Sequence, residues 1–471
     1  LSLVDEGVKY RKGDQVKILM VTEGADYLDA IPLYAGRIAE TPVPARRRLP
    51  LTVRDITFDV VRDVEIGKKL THAEFPDGPE TFETEIAPIP LGEAVSVPCP
   101  LVDTVNHRHL AAVNRIFHVR RVYVYGVLQP PSAYTLETVS KADGEVQTFI
   151  RFSSPQIDPE RPDEFAVTAD IGGLVDENGQ VPTDWASLIR VIFLQLTSLD
   201  ASDLDSGAFD EAVASLQAAG LRGSMSVIQA LSLEEVLARA LGSGGLDLTV
   251  NEQGQIAVVR FSADDAMEPG NLEVSDSLIL ADSFNPAARP EEYTALTYNY
   301  RFRHLPQGGF FDRRPTQRDV SADEEGEIQA ASQLNLFGVE DDHTALTRAM
   351  EELQKARPGK SRSSVQVALP QIVPLRRLLG KAATLNHWAH AVANDLVKIT
   401  RVSMQPASMT ATLELLSLGI DQSRVARWAD PDLDSDWTAL TPEQQEVNAA
   451  WADPQTNLLP DRSPGFTWSG G

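Results

Sequence analysis

Short blocks of alternating hydrophobic and polar residues dominate the first third of the chain, a pattern typical of β-strands. Three blocks rich in β-branched and aromatic residues lie at residues 16–21, 51–60 and 117–125. In the last block, valines and tyrosines flank two arginines, and Pro130 and Pro131 follow. Proline cannot donate to a ladder, so this strand is expected to stop before them. We predict a β-rich domain over residues 1–165, with a connector at residues 155–162.

The hydrophobic period changes over residues 166–286, where we predict an α/β module. It opens with a turn rich in Asp and Gly at residues 170–179. Apolar residues three and four apart then predict amphipathic helices over 185–196, 209–219 and 233–241. Ser232 and Glu235 form a capping-box pattern before the third helix, and Gly242 to Gly245 allow the left-handed turn that ends it. A hairpin with strands at 246–250 and 255–261 closes the module.

Strand patterns return over residues 287–420, where we predict a second β-rich domain with one helix. Alternation over 296–302 predicts a strand, followed by a loop rich in Pro, Gly and acid that reaches residue 327. A helix is predicted over 344–355, and two strands at 397–404 and 409–415. Periodicity ends near Asp421, so residues 421–471, with tryptophans at 428, 437, 451 and 468, are predicted to be an extended C-terminal arm that folds by docking. The predicted class is α+β, β-rich and multidomain.

Length and charge narrow the classes of function. The chain has 471 residues, too many for one core, and a formal net charge of −26. That charge disfavours binding to nucleic acid or an anionic membrane, and the short basic runs at 46–48 and 376–377 fit solvated turns or contacts to an acidic neighbour chain. The most apolar run, 188–196, is too short to span a membrane and contains Arg190. No signal peptide is expected, and Leu1 is not expected to be the natural start.

The residues that could carry chemistry form no complete constellation. Cys99 is the single cysteine, which excludes an internal disulfide. His107 and His109 would share a strand face near Cys99, but third and fourth zinc ligands are missing from the pattern, so structural or surface histidines are the favoured interpretation. His387 and His390 would share a helix face, without the Glu of a zinc-protease motif.

Two glycine-containing stretches are better explained as turns than as sites. Residues 176–179 resemble the start of a calcium loop whose remaining frame fails. Residues 242–245 fit a helix stop better than a nucleophile elbow. We therefore name no catalytic, cofactor-binding or metal-binding residue, and predict a protein that is not an enzyme and has no cofactor.

The order of these elements resembles the hub proteins at the tail tip or baseplate of long-tailed bacteriophages, including the central tip protein of lambdoid phages and the tail-associated hubs of other siphophages. The likeness covers about residues 165–420 and lies in three places. These are residues 170–261, residues 293–302, and residues 329–336 with the helix at 344–355 and the strands at 397–402 and 410–415. Such hubs commonly show a Gly-Asp turn before the final strands. Here Gly380-Lys381 and Ala393-Asn394-Asp395 stand in its place.

The resemblance implies a homotrimer in which each chain contributes two tube-like β-barrel domains, separated by the inserted α/β module. The ring would join the tail tube to the tip in the virion, after assembly in the host cytoplasm, and genome DNA would pass through an acidic lumen without specific binding. Implied partners are distal tail and tail tube proteins, the tape measure protein, and other tip or fibre proteins. Many such hubs add a long C-terminal fibre or a peptidase or lysozyme domain, and in departure from them this chain is expected to be a hub without an appended enzyme.

Three alternatives remain at this stage. A distal tail ring protein of the same assembly would be more nearly all-β, which the helical module disfavours. A cell-wall-degrading tail enzyme would need a carboxylate pair or a metal cluster in a cleft. A soluble binding protein of another kind would be a stable monomer.

Overall fold

The computed structural model describes the chain in segments that group into two compact units. The described residues are 11–12, 14–21, 30–40, 53–54, 64–80, 85–142, 144–156, 165–251, 253–260, 272–287, 295–305, 308–318, 331–355, 362–368, 378, 381–387, 392–405 and 408–421. Unit 1 comprises residues 1–260, 297–315 and 333–349, and unit 2 comprises residues 261–296, 316–332 and 350–471. The division into four domains drawn from the sequence stays a prediction.

Strands dominate the first part of unit 1. They are β1 (Gln15–Met20), β2 (Ile31–Ile38), β3 (Val53–Arg54), β4 (Glu65–Ile66), β5 (Ile89–Leu91), β6 (Glu93–Pro98), β7 (Leu101–Asp103), β8 (Arg108–Ala112), β9 (Ile116–Val124), β10 (Val127–Leu128), β11 (Tyr134–Ser140), β12 (Val146–Phe152) and β13 (Val167–Leu174). β1 and β9 confirm the strands predicted at 16–21 and 117–125. Of the strand predicted at 51–60, the described residues include β3 only, and the remainder lies outside them.

Two of these sheets share one hydrophobic core. β10, β9, β13 and β5 follow one another in a six-stranded sheet, in which β6 also pairs with β13, while β11, β12, β8 and β7 form a four-stranded antiparallel sheet. Val97, Cys99, Val122, Ile150 and Ile171, which come from both sheets and the turn after β6, are buried in a common cluster. The cluster between the two sheets is therefore apolar, and a few polar side chains, including His109 of β8, are buried beside it.

The turn predicted at residues 170–179 is wrong in its first half, because residues 170–174 belong to β13. Gly172 and Leu174 pair with β9 instead of turning. A Cβ on Gly173 would lie 2.1 Å from the carbonyl oxygen of Pro90, so this glycine permits two segments to approach closely. The turn itself is at Asp176, whose side chain accepts from the amides of Asn178 and Gln180 at 2.9 and 2.8 Å.

Three capped helices form the predicted module. They are α1 (Trp185–Leu196), α2 (Ser206–Ala218) and α3 (Leu233–Gly244), and the strands between and after them are β14 (Met225–Val227), β15 (Leu231–Ser232), β16 (Leu246–Val250) and β17 (Ile256–Arg260). Asp184 and Asp205 cap α1 and α2, and α2 starts earlier than predicted because its cap is Asp205. The capping box at Ser232 and Glu235 is confirmed. α3 continues through Gly244 and ends at Gly245, whose φ is +65°.

Trp185 is the centre of this module. Its side chain is completely buried, and glycines from three segments surround it. A Cβ on Gly223 would lie 2.4 Å from the indole ring, and one on Gly244 would lie 2.7 Å from the Trp185 Cβ. Gly338, with a φ of +70°, would place a Cβ 2.9 Å from the ring. The three glycines leave room for an indole that a larger residue would displace.

The last part of unit 1 is built around a long strand and a helix. The elements are β20 (Ala295–Leu305), β21 (Gly308–Arg313), β23 (Ala331–Asn335) and α4 (Asp342–Lys355), of which β20, β23 and α4 extend past the limits of the unit. β20 and α4 confirm the strand at 296–302 and the helix at 344–355. The loop predicted after β20 is wrong in part, because β21 returns antiparallel to β20 with Phe311 opposite Phe302. The acidic stretch at 323–327 lies outside the described residues.

Unit 2 contains a six-stranded sheet. Its strands are β18 (Leu272–Val274), β19 (Asn285–Ala287), β24 (Arg362–Ala368), β25 (Ala382–His387), β26 (Val392–Gln405) and β27 (Thr410–Asp421), in the order β18-β25-β26-β27-β24-β19, and β22 (Thr316–Arg318) also belongs to this unit. β26 and β27 confirm the two strands predicted at 397–404 and 409–415, and both are longer. The predicted C-terminal arm beyond Asp421 lies outside the described residues.

These elements confirm the predicted α+β, β-rich class. No helix in the described segments is long and apolar enough to cross a membrane.

Candidate interaction surface

Cys99 and His109 are neighbours in the sandwich core, but their contact is not a metal site. His109 lies on β8, and its Nδ1 is 3.0 Å from the carbonyl oxygen of Cys99. Because a carbonyl only accepts, Nδ1 carries the proton. The Cys99 thiol donates to the carbonyl of Val97 at 3.4 Å. His107 precedes β8 with a φ of +53°, so the shared strand face predicted for the two histidines is wrong.

Burial determines the protonation states of His109 and Cys99. It lowers the pKa of His109 to about 4 and raises the pKa of the Cys99 thiol. His109 is therefore neutral and Cys99 is an unreactive thiol at neutral pH. Among the residues that the structure describes, no three His, Cys, Asp or Glu side chains are grouped to hold a metal ion.

His387 lies at the end of β25, so the helix face predicted for it and His390 is wrong. The strand forms because residues 382–387 pair with β26. The ring of His387 packs at a tilt against that of Phe284, with the centroids 4.6 Å apart, and its Nδ1 bonds to the carboxylate of Asp276. His390 lies outside the described residues. This histidine is held by a structural contact within unit 2.

Sequence analysis missed one pair of polar groups that resembles part of a hydrolase site. Ser226 Oγ and His304 Nε2 are 2.9 Å apart, although 78 positions separate the two residues. Desolvation lowers the pKa of His304 to about 4, and its Nδ1 is buried with no partner within the described chain. The pair lies in a small, partly open pocket that Arg239, Phe337 and Glu340 also line. No carboxylate of the described residues bonds to Nδ1, so the third group that orients the imidazole in a catalytic triad is missing from this part of the chain.

Another concavity of unit 1 is a groove between β9 and the hairpin of β11 and β12, here called the β9 groove. Its volume is about 490 Å³. Residues 115–119 form one side, Leu136, Thr138 and Ser140 of β11 form the other, and Val146 and Thr148 of β12 complete the lining. The alternate residues of β11 point into the groove, as the period of a strand requires.

One edge of β9 is unpaired beside this groove. β13 covers one side of β9 from residue 116 to residue 124. On the other side β10 pairs only with Tyr123 and Val124, and the amide of Gln129 donates to the carbonyl of Val122. In the described part of the chain, residues 116–121 have no strand partner on that side. Backbone groups along this edge are therefore open to another strand.

The groove is also locally basic. Arg115 lines the groove, and Arg120 comes directly after Val119, a lining residue of β9. Both arginines are exposed, and neither pairs with a carboxylate of the described residues. Arg121 is 4.0 Å from Asp170. The carboxylate of Glu137, on β11, forms ion pairs with Arg108 and Arg151, at 2.8 and 3.1 Å. The sequence showed the Arg120-Arg121 pair, but the free edge and the groove arise only from long-range strand pairing.

Comparisons with known proteins give structural likenesses only. No protein-family model matches the chain, and no curated protein matches it. One similar structure is from the virion of the native gene transfer agent (GTA) particle, with 12% identity and a TM-score of 0.46, over 72% of this chain and 85% of that chain.

Two further similar structures are tail proteins. The 43 kDa tail protein of prophage MuSo2 from Shewanella oneidensis has 13% identity and a TM-score of 0.29, over 70% of this chain and 93% of that one. The tail protein from Neisseria meningitidis MC58 has 9% identity and a TM-score of 0.29, over 70% and 90%. These values are too low to assign a family or a function to this chain.

Proposed function

We propose that this chain is the structural hub protein of a long-tailed bacteriophage tail tip or baseplate. Three copies form a ring that joins the tail tube to the tip and lines the channel through which DNA leaves. The neighbours in this assembly are distal tail and tail tube proteins, the tape measure protein, and other tip or fibre proteins. The protein acts in the virion as a scaffold, without a catalytic role.

The succession of elements carries this proposal. β-sheet structure leads into three helices and a hairpin, α1 to β17, and the chain returns through β20 and α4 to the long pair β26 and β27. This is the order on which the resemblance to tail hubs rests. The helical module also distinguishes the hub from a distal tail ring, which is more nearly all-β. The similar structures named above are virion and tail proteins, but the proposal does not depend on them.

The charge of the chain agrees with a DNA channel. A formal net charge of −26 repels the phosphate backbone, so DNA passes without binding if acidic side chains line the lumen. A basic lumen would contradict this part of the proposal. Closed rings of identical chains need an interface that repeats around the axis, and unpaired sheet edges suit that purpose.

The mass of the purified chain in solution tests the proposal. Light scattering should give about three times 51.4 kDa, and electron microscopy of the same sample should show rings with threefold symmetry. A variant that ends at Asp421 should be measured in parallel, to determine whether the predicted arm is needed for ring formation. A monomer at every concentration, for both chains, would contradict the trimeric hub.

A further inference from the structure

We infer that the β9 groove binds an extended segment of a second copy of this chain, and is therefore one half of the contact between copies. This inference rests on the proposed ring and names a surface that builds it. Three observations meet at the groove: an unpaired strand edge, exposed apolar side chains, and arginines without carboxylate partners. A single partner strand with acidic side chains satisfies all three.

The open backbone edge of β9 runs over residues 116–121. Strands offer N–H and C=O groups in the plane of the sheet, and proteins normally cover, shorten or charge such edges. β10 covers only the last two residues of β9, which leaves about six residues open in the described chain. That length matches a common strand of five or six residues. An added strand would extend the sheet by β-augmentation, in which main-chain bonds supply affinity.

Exposed apolar side chains lie on both walls of the groove. Phe117 is 56% exposed and Leu136 is 47% exposed, although both are large apolar residues that line the same concavity. Thr138, Val146 and Thr148 provide a floor of β-branched side chains between them. Burying Phe117 and Leu136 against a partner removes apolar surface from water, with roughly 25 cal/mol gained for each Å² covered. The groove is thus shaped for alternate side chains of an incoming strand.

Charge complementarity favours a second copy of this chain as the molecule that binds in the groove. Arg115 in the groove and Arg120 beside it make this surface locally positive, whereas the whole chain has a formal net charge of −26. Another copy, with 68 acidic residues against 42 basic ones, is therefore a suitable source of an acidic segment. Duplex DNA is also anionic, but it has no backbone donors and acceptors that match a strand edge and no apolar side chains for Phe117 and Leu136. A ring in which each copy donates a segment and accepts one closes on itself.

The direct experiment is photo-crosslinking with isotope labels. Benzoylphenylalanine replaces Thr138, an exposed residue of the groove, in full-length protein. Equal amounts of ¹⁴N and ¹⁵N chains are mixed in denaturant and refolded together, so that assemblies contain both labels before illumination. Crosslinked peptides that join a light and a heavy chain are expected. The same amino acid at Val105, an exposed apolar residue outside the groove, is the control and should give few mixed products. Crosslinks at position 138 that join only chains of the same label would show that the groove is filled within one chain, and would overturn the inference.

Paired substitutions test the energetic role of the groove. Phe117→Asp with Leu136→Asp should weaken association by at least about 30-fold, which is roughly the 2 kcal/mol expected from the loss of a single hot-spot residue. Val105→Asp with Leu346→Asp makes the same change of charge at exposed apolar positions outside the groove, and should leave association unchanged. The thermal midpoint of the dilute monomer should be similar for all three proteins, since the substituted side chains are exposed.

The outcomes separate this inference from the proposed function. Rings of three that form equally well with both groove substitutions would overturn the groove and leave the hub proposal standing. An assembly of another number, with mixed-label crosslinks at position 138, would support the groove and contradict the trimer. A duplex of DNA that binds the wild type and not the groove variant would overturn the choice of a second copy. A wild-type monomer at every concentration would overturn both.

Discussion

His109 shows how one buried side chain links the sandwich core to pH. Its Nδ1 donates to the carbonyl of Cys99, so the neutral ring presents Nε2 to the core, where that atom is buried without a partner among the described residues. Protonation of Nε2 would place a charge in an apolar cluster, which is why burial lowers the pKa of His109 to about 4. The unfolded chain binds that proton near pH 6.5. Acid therefore favours the unfolded state.

We predict that His109→Gln flattens the pH dependence of stability. In the wild type this histidine costs stability progressively from about pH 6.5 down to about pH 4, because the folded state binds the proton less tightly. Between about pH 7 and pH 5, the free energy of unfolding of the wild type should fall by about 1–2 kcal/mol more than that of the variant, as urea denaturation at both pH values would show. His118→Gln, at a partly exposed position, is the control. Equal pH dependence in wild type and His109→Gln would refute the assignment.

Arg348 joins two elements that are far apart in the sequence. This α4 side chain is completely buried, and it donates from Nε to the carbonyl of Ser243 and from an Nη to the carbonyl of Gly242, at 3.1 and 3.2 Å. Those carbonyls belong to the last turn of α3, the negative end of the helix dipole. A Cβ on Gly245 would lie 2.4 Å from the guanidinium, so this glycine both ends the helix and leaves space for the arginine.

We predict that Arg348→Met lowers the free energy of unfolding by about 2–4 kcal/mol, since it leaves the buried carbonyls of the last α3 turn without their donor. Arg348→Lys should fall between the wild type and Arg348→Met, because it keeps the charge and loses the planar fork. Chemical denaturation of the three proteins at neutral pH measures the order. If Arg348→Met were as stable as the wild type, the arginine would have no part in fastening α4 to α3.

Elements with local signals were predictable from the sequence. The capping box at Ser232 predicts the start of α3, and the alternating valines and tyrosines predict strand β9. Residues 170–174 were mistaken for a turn because glycine allows a turn as well as close approach, and only the position of Pro90 decides between them. The pair of Ser226 and His304 and the β9 groove depend on tertiary pairing, which local patterns do not encode.

At the scale of the whole molecule, two electrostatic effects oppose each other. The formal net charge of −26 makes copies of the chain repel one another over long distances. Arg115 and Arg120 at the β9 groove attract an acidic segment at short range. Salt distinguishes the two, because the screening length falls from about 30 Å at 0.01 M to about 8 Å at 0.15 M. Repulsion between whole chains acts over tens of ångströms and is largely screened at the higher salt concentration. Contacts near 4 Å are screened much less.

We therefore predict that association of the chain strengthens as salt rises from about 0.01 M to about 0.15 M. A contact governed by the arginines alone would instead weaken over this range. Arg115→Gln with Arg120→Gln should associate less tightly than the wild type at both salt concentrations, because it adds to the net negative charge and removes the local attraction. When salt is added, association of this variant should strengthen more than association of the wild type. Without the two arginines, repulsion is the main electrostatic force between copies. Sedimentation at several protein concentrations gives the constants. Association of the wild type that weakens steadily with salt would contradict the account, because the local ion pairs would then outweigh the repulsion between whole chains.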